Sequence, residues 1–161
     1  MEIFEFEIPA HTTRREWAVY VIVARQNTTN KKIFYVGKVG DNREGCSPLI
    51  SRIGNHFSHN KIHSQMRNKI SETTLFDYKV FYATFGQYNI ETQNTDKAKV
   101  NELERQLNRY IQQNLLNVDN IEFLNPYKAV GVSNKKEKDR QQLLTEDERQ
   151  KLKELADRAT A

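Results

Sequence analysis

Two short stretches constrain the fold more than anything else in the chain. Trp17 to Ala24 reads WAVYVIVA and Lys32 to Gly37 reads KIFYVG, with the polar Gln26 to Lys32 between them. Runs this rich in β-branched and aromatic side chains fit a pleated, buried surface, so the first predicts a central strand and the pair a hairpin. Phe76 to Phe85 (FDYKVFYATF) predicts a third strong strand. Phe4, Phe6 and Ile8 alternate with Glu5 and Glu7 and stop at Pro9, the period of a half-buried strand at a sheet edge.

Helical spacing fills the rest. Ser47-Pro48 offers a cap followed by proline at the first helical position, and a helix from Pro48 to about Phe57 sets Leu49, Ile53 and Phe57 on one face. Arg52 and His56, one turn apart, share the neighbouring face. A second, basic helix is expected from about Lys61 to Ile70. A long one is expected from about Lys97 to Leu116, with Val100, Leu103, Leu107, Tyr110 and Ile111 as its apolar stripe. Asn125-Pro126-Tyr127 opens a connector that reaches Gly131. Asn134 to Arg140 reads as a charged linker, and Thr145 with Glu148 forms a capping box for a last helix ending near Ala159. The division expected is a domain over residues 1–132 and a linker plus amphipathic helix over 133–161. In that helical segment Leu144, Leu152 and Leu155 would pack on the domain or on a second copy, which would make a homodimer.

The size of 161 residues suits one domain of ordinary size. A mean hydropathy of -0.80 goes with enough Ile, Leu, Val, Phe and Tyr for a core, which excludes wholesale disorder. The longest apolar run, Ala18 to Ala24, falls far short of the roughly 20 residues of a membrane-spanning helix, so no membrane association is expected. The start, MEIFEFEIPA, lacks the basic and apolar regions of a secretory leader, and Cys46 is the single cysteine. A reducing, cytoplasmic setting is the corresponding expectation.

The net charge of +4 is unevenly placed. Between residues 38 and 69 stand Lys38, Arg43, Arg52, Lys61, Arg67 and Lys69 against only Asp41 and Glu44. Residues 133–161 carry 8 basic and 7 acidic residues and are close to neutral. A basic patch of this kind favours a polyanion, and Arg43, Lys61, Arg67 and Lys69 are the expected nucleic-acid contacts. His56, His59 and His63 also invite a zinc reading, but no cysteine or nearby carboxylate completes the set.

Tyr20 in VYV, Tyr35 in FYVGK, Arg52 with His56 four later, Glu104 on the long helix and Asn125 after it stand in an order that resembles the GIY-YIG nuclease family. The resemblance runs from Val19 to about Gly131. FYVGK matches the second motif closely, whereas VYV has Val19 where the first motif has glycine. The turn between the tyrosine strands is longer than usual, and Asp41 to Pro48 is inserted before Arg52. None of these departures removes a chemical group.

The resemblance implies an α/β domain with a small mixed β-sheet of about three to four strands flanked by helices, and metal-dependent endonucleolytic cleavage of DNA. It implies one divalent cation, Mg²⁺ or Mn²⁺, held by Glu104. A hard cation keeps several waters, so one carboxylate plus the substrate phosphate suffices. Glu104-x-x-Leu107 fits the family pattern better than Glu102, and two residues two apart on a helix cannot face one site. Tyr20 would be the general base or its relay, and Tyr35 would support water or phosphate. Lys38 would supply the positive field that a phenolate needs. Arg52 presents a fork suited to two phosphoryl oxygens, and His56 reaches the same place. Asn117 follows the long helix more closely, but Asn125 stands in the Leu-Asn-Pro context nearer the family pattern and is preferred. Sequence selectivity would come from the insertion, the basic segment or a recognition partner protein. The alternative is a nucleic-acid-binding protein on the same scaffold that does not cut.

Overall fold

A computed structural model of the chain describes residues 2–26, 28–40, 47–60 and 62–161. The strands are β1 (Glu16–Gln26), β2 (Lys32–Val39), β3 (Phe76–Gln87) and β4 (Ile121–Phe123). The helices are α1 (Leu49–Phe57), α2 (Gln65–Lys69), α3 (Gln93–Asn114), α4 (Asn134–Gln141) and α5 (Glu146–Thr160). The strands form one sheet in the order β3-β1-β2-β4. β1 runs antiparallel to β2 and β3, and β4 lies parallel to β2, so the sheet is mixed. The architecture is α/β, as the strand and helix patterns require.

The expected central strand is β1, and its residues from Trp17 to Ala24 are all buried. Because successive side chains point to opposite faces, the run feeds two cores. Trp17, Val19, Val21 and Val23 join Phe34 and Val36 against Val100, Leu103, Leu107 and Ile111 of α3. Ala18, Tyr20, Ile22 and Ala24 join Ile33, Tyr35 and Val39 against Leu49 of α1 and Met66 of α2. The apolar stripe read from the sequence thus covers one face of the sheet, and the two short helices cover the other.

The C-terminal segment belongs to the first of these cores. Leu144, Leu152, Leu155 and Ala156 are buried among the α3 and β1 side chains, so the helix packs on its own domain and needs no second copy for cover. Its capping box is formed, with Thr145 N–H donating to Glu148 Oε2 at 2.8 Å and Glu148 N–H donating to Thr145 Oγ1 at 3.3 Å. No helix among the described residues is long and apolar enough to cross a membrane.

Three expectations need correction. Residues 4–8 are not a strand: Phe4 and Phe6 stand more than four-fifths exposed, because alternation supplies one apolar face but a strand also needs a neighbour to pair with. Asn134 to Gln141 is helical rather than a linker. Ser133 caps it by accepting from Lys136 N–H at 3.3 Å, and Arg109 of α3 forms an ion pair with Glu137. The second basic helix is shorter than expected, spanning Gln65–Lys69, while Lys61 lies outside the described residues.

Candidate active site

The tyrosine hairpin and α1 meet at one point. Tyr20 lies directly across the β1–β2 ladder from Gly37, and Tyr35 precedes Gly37 by two residues, so all three occupy the face that α1 covers. The Tyr20 ring crosses the space over Gly37, where any Cβ would collide with its ring carbons and hydroxyl. The glycine of Tyr-x-Gly is therefore a steric requirement. On α1, His56 is fully buried, and its Nε2 shares a 2.6 Å hydrogen bond with the Tyr20 hydroxyl. The imidazole also meets the Tyr35 ring edge-on, with centroids 4.9 Å apart.

Burial dominates the electrostatics of this cluster. It pushes the Tyr20 hydroxyl far above the ordinary tyrosine range, and Tyr35 adds to that, against the opposing pull of the Arg52 guanidinium. Tyr35 is raised for the same first reason. His56 is pushed down to about 4, by burial first and then by the positive charges of Arg52 and Lys69. At neutral pH the pair is thus a phenol and a neutral imidazole. The Tyr20 hydroxyl and His56 Nε2 share this hydrogen bond, with its direction set by the imidazole tautomer, and His56 Nδ1 is buried without a partner among the described residues.

The opposite wall comes from α3. Glu104 Oε2 lies 2.8 Å from Lys38 Nζ at the end of β2, with both side chains partly exposed. Lys38, Gly40, Ser47, Arg52, His63 and Glu104 line a polar cavity of about 220 Å³ at this end of the sheet. Glu102 points elsewhere, as expected for a residue two positions away: it is buried, accepts from Gln106 Nε2 at 2.7 Å and pairs with Arg105 at 3.2 Å.

Among the described lining residues, Glu104 offers the hard oxygen donor that a water-rich cation takes. Among the described residues it is the one carboxylate on the cavity wall, and no three His, Cys, Asp or Glu side chains cluster in a metal-binding group. His56, His59 and His63 do not come together in such a group. Glu104 would be the residue to hold such a cation, and its carboxylate is paired with Lys38 in this structure.

Asn125 stands next to the motif without lining the cavity. Its Oδ1 accepts from Val36 N–H at 3.1 Å, and its Nδ2 donates to Val36 C=O at 2.6 Å. The side-chain amide thus continues the β2–β4 ladder one step past Leu124 N–H, which donates to Phe34 C=O at 2.9 Å. Asn108, four residues after Glu104 on the same face of α3, donates to Asn125 C=O at 2.8 Å and accepts from Tyr127 N–H at 2.9 Å. Asn117 is exposed.

Of the expected DNA contacts, Arg67 Nε donates to Phe57 C=O at 2.9 Å, and Lys69 Nζ donates to Leu124 C=O at 3.2 Å while lying 5.7 Å from the centre of the Tyr35 ring. Both remain exposed. Arg43, Lys61 and residues 41–46 of the insertion lie outside the described residues. Comparison of the chain with protein-family models, with curated proteins and with solved structures finds no match.

Sequence reasoning missed two residues here. Asn108 is a buried amide on the functional face of α3, and its spacing of four from Glu104 was the available signal. His63, weighed only as a zinc ligand, lines the cavity.

Proposed function

We propose that the protein is a divalent-metal-dependent endonuclease that hydrolyses DNA phosphodiester bonds at a site of the GIY-YIG type. The observation that carries this reading is the grouping of Tyr20, Tyr35, Arg52 and His56, from the hairpin and α1, beside a cavity whose far wall is Glu104 from α3. Residues more than eighty positions apart in the chain form one polar site in which each has a use in phosphodiester hydrolysis.

When bound at Glu104, the cation would neutralise phosphoryl charge and favour hydroxide over water. The chain's own groups do the rest. Arg52 offers its fork to two phosphoryl oxygens from the cavity wall. The Tyr20 hydroxyl and His56 form a buried proton-sharing pair: for the Tyr20 oxygen to take a proton from water, substrate binding must first open it to the cavity, and the phenol proton then passes to His56 Nε2. Burial first, and then the positive charges of Arg52 and Lys69, hold His56 neutral, and an anionic phosphate against Arg52 offsets the second of these contributions. Tyr35 packs against the imidazole and fixes its orientation.

The test is incubation of the purified protein with supercoiled plasmid in Mg²⁺, in Mn²⁺ and in EDTA. Nicked or linear product that EDTA abolishes is the expected result. One observation favours the alternative of a binding protein that does not cut: Lys38 already neutralises the carboxylate that would take the metal. DNA binding without cleavage in either cation would select that alternative.

A further inference from the structure

The connection between α1 and α2 is held by an unusual density of side-chain bonds for so short a piece. Ser58 Oγ donates to Asn55 C=O at 3.0 Å and lies 2.9 Å from Ser64 Oγ. The Ser64 hydroxyl in turn donates to Asn60 C=O, and Ile62 N–H donates to Asn60 Oδ1 at 2.9 Å. Ser64 is fully buried, and Arg67 closes the piece by donating to Phe57 C=O. These bonds fix the residues on either side of His63.

The His63 imidazole is exposed, makes no side-chain hydrogen bond among the described residues, and lines the same cavity as Lys38, Arg52 and Glu104. His56, on the buried face of α1, is absent from the cavity lining and does not touch a ligand there directly. Among the described residues, His63 is thus the one imidazole lining the cavity, together with Arg52 and Glu104. A polar cavity with Lys38 and Arg52 on its walls suits an anion with oxygen acceptors, and an imidazole N–H at its rim adds a directional donor to the two cations.

We infer that His63 is a substrate-contact residue, donating a hydrogen bond from its ring to a phosphoryl oxygen of the DNA strand seated against Arg52. This rests on the nuclease reading for its rate consequence, but the contact itself depends only on the phosphate entering the cavity. A neutral imidazole suffices, so an amide that reaches the same place replaces it in part. His59, four residues earlier and absent from the cavity wall, serves as the control.

The experiment has two arms. In EDTA, with a short duplex DNA as probe, the ring-proton resonances of His63, assigned by their loss in His63→Ala, are followed during titration. In Mg²⁺, single-turnover cleavage of the same duplex is measured for wild type, His63→Ala, His63→Gln and His59→Ala, with binding determined separately. Expected are a shift of the His63 resonances on DNA addition and a cleavage rate lowered about tenfold to a thousandfold in His63→Ala, as for loss of a donor to a reacting phosphoryl group. The rate should recover in part in His63→Gln and stay unchanged in His59→Ala. Cleavage by wild type with unmoved His63 resonances and an unaltered His63→Ala rate would overturn the inference and leave the nuclease reading intact. Shifted resonances and weaker binding in His63→Ala, without cleavage by wild type, would uphold the contact and overturn the nuclease reading.

Discussion

Gly37 faces Tyr20 across the β1–β2 ladder at a separation that admits no side chain, so the second motif's glycine and the first motif's tyrosine form one packing unit. The Tyr20 hydroxyl reaches His56 because nothing projects from position 37 to deflect it. Gly37→Ala must displace the phenol or the strand, and overpacking of this kind costs about 1–3 kcal/mol. Gly54 on α1 has open space where a Cβ would go, so Gly54→Ala should instead stabilise by about 0.5–1 kcal/mol through helix propensity. Urea denaturation of both variants checks the sign of each change. Similar stability in the two would mean that Tyr20 has room to move.

Glu104 and Glu102 separate function from stability on one helix. Glu104→Gln removes the carboxylate from the cavity wall and should abolish cleavage, with DNA binding and unfolding midpoint nearly unchanged. Glu102→Gln should leave cleavage intact but lose about 1–2 kcal/mol of stability, because its buried carboxylate accepts from both Gln106 and Arg105. Cleavage and denaturation of the two variants, measured side by side, test this. Loss of cutting in Glu102→Gln at unchanged stability would overturn the assignment.

The sheet was legible in the sequence because β1 and β2 are buried on both faces, and a two-sided environment leaves an unbroken run of β-branched and aromatic residues. The facing of Arg52 and His56 was legible too, since a spacing of four on a helix fixes it. Pairing partners were not: residues 4–8 carry a strand's alternation, yet periodicity reports a face and not a neighbour. Nor could Asn134 to Gln141 be read as helix, as it has no apolar stripe and is held by the Ser133 cap and the Arg109–Glu137 pair, contacts that local pattern does not encode. The depth of Tyr20 and His56 behind the cavity wall likewise depends on how α1 crosses the sheet.

Asn125 acts through Val36, which lies between Tyr35 and Gly37. Asn125→Ala would leave the Val36 N–H and C=O without their partner, each a cost of about 1–3 kcal/mol if it stays dry. Asn125→Asp should do no better, since a carboxylate satisfies the N–H but repels the carbonyl. Hydrogen exchange at the Val36 amide should quicken in both variants, and cleavage should slow as the Tyr35 segment loosens. Asn117→Ala should change neither. Wild-type exchange at Val36 in Asn125→Ala would show that the amide is not what holds this part of β2.

The burial of His56 also sets a pH dependence. Its folded value of about 4 lies below the ordinary 6.5, so between these limits the unfolded chain binds a proton that the folded chain does not. Stability from this group is therefore complete above about pH 6.5 and falls as the pH drops toward 4, by at most about 3 kcal/mol at 1.4 kcal/mol per pH unit. Other groups titrate in the same window, so the informative quantity is the difference between wild type and His56→Gln. The variant can keep a hydrogen bond to the Tyr20 hydroxyl but cannot take up a proton. Urea midpoints from pH 7.5 to 4 should fall more steeply in wild type than in His56→Gln, with the two curves converging at the acid end. Below about pH 4 the gap should stop closing, because His56 is then protonated in both states. Parallel curves across the whole range would mean that solvent reaches the imidazole in the folded protein and that the Tyr20–His56 pair is not sealed.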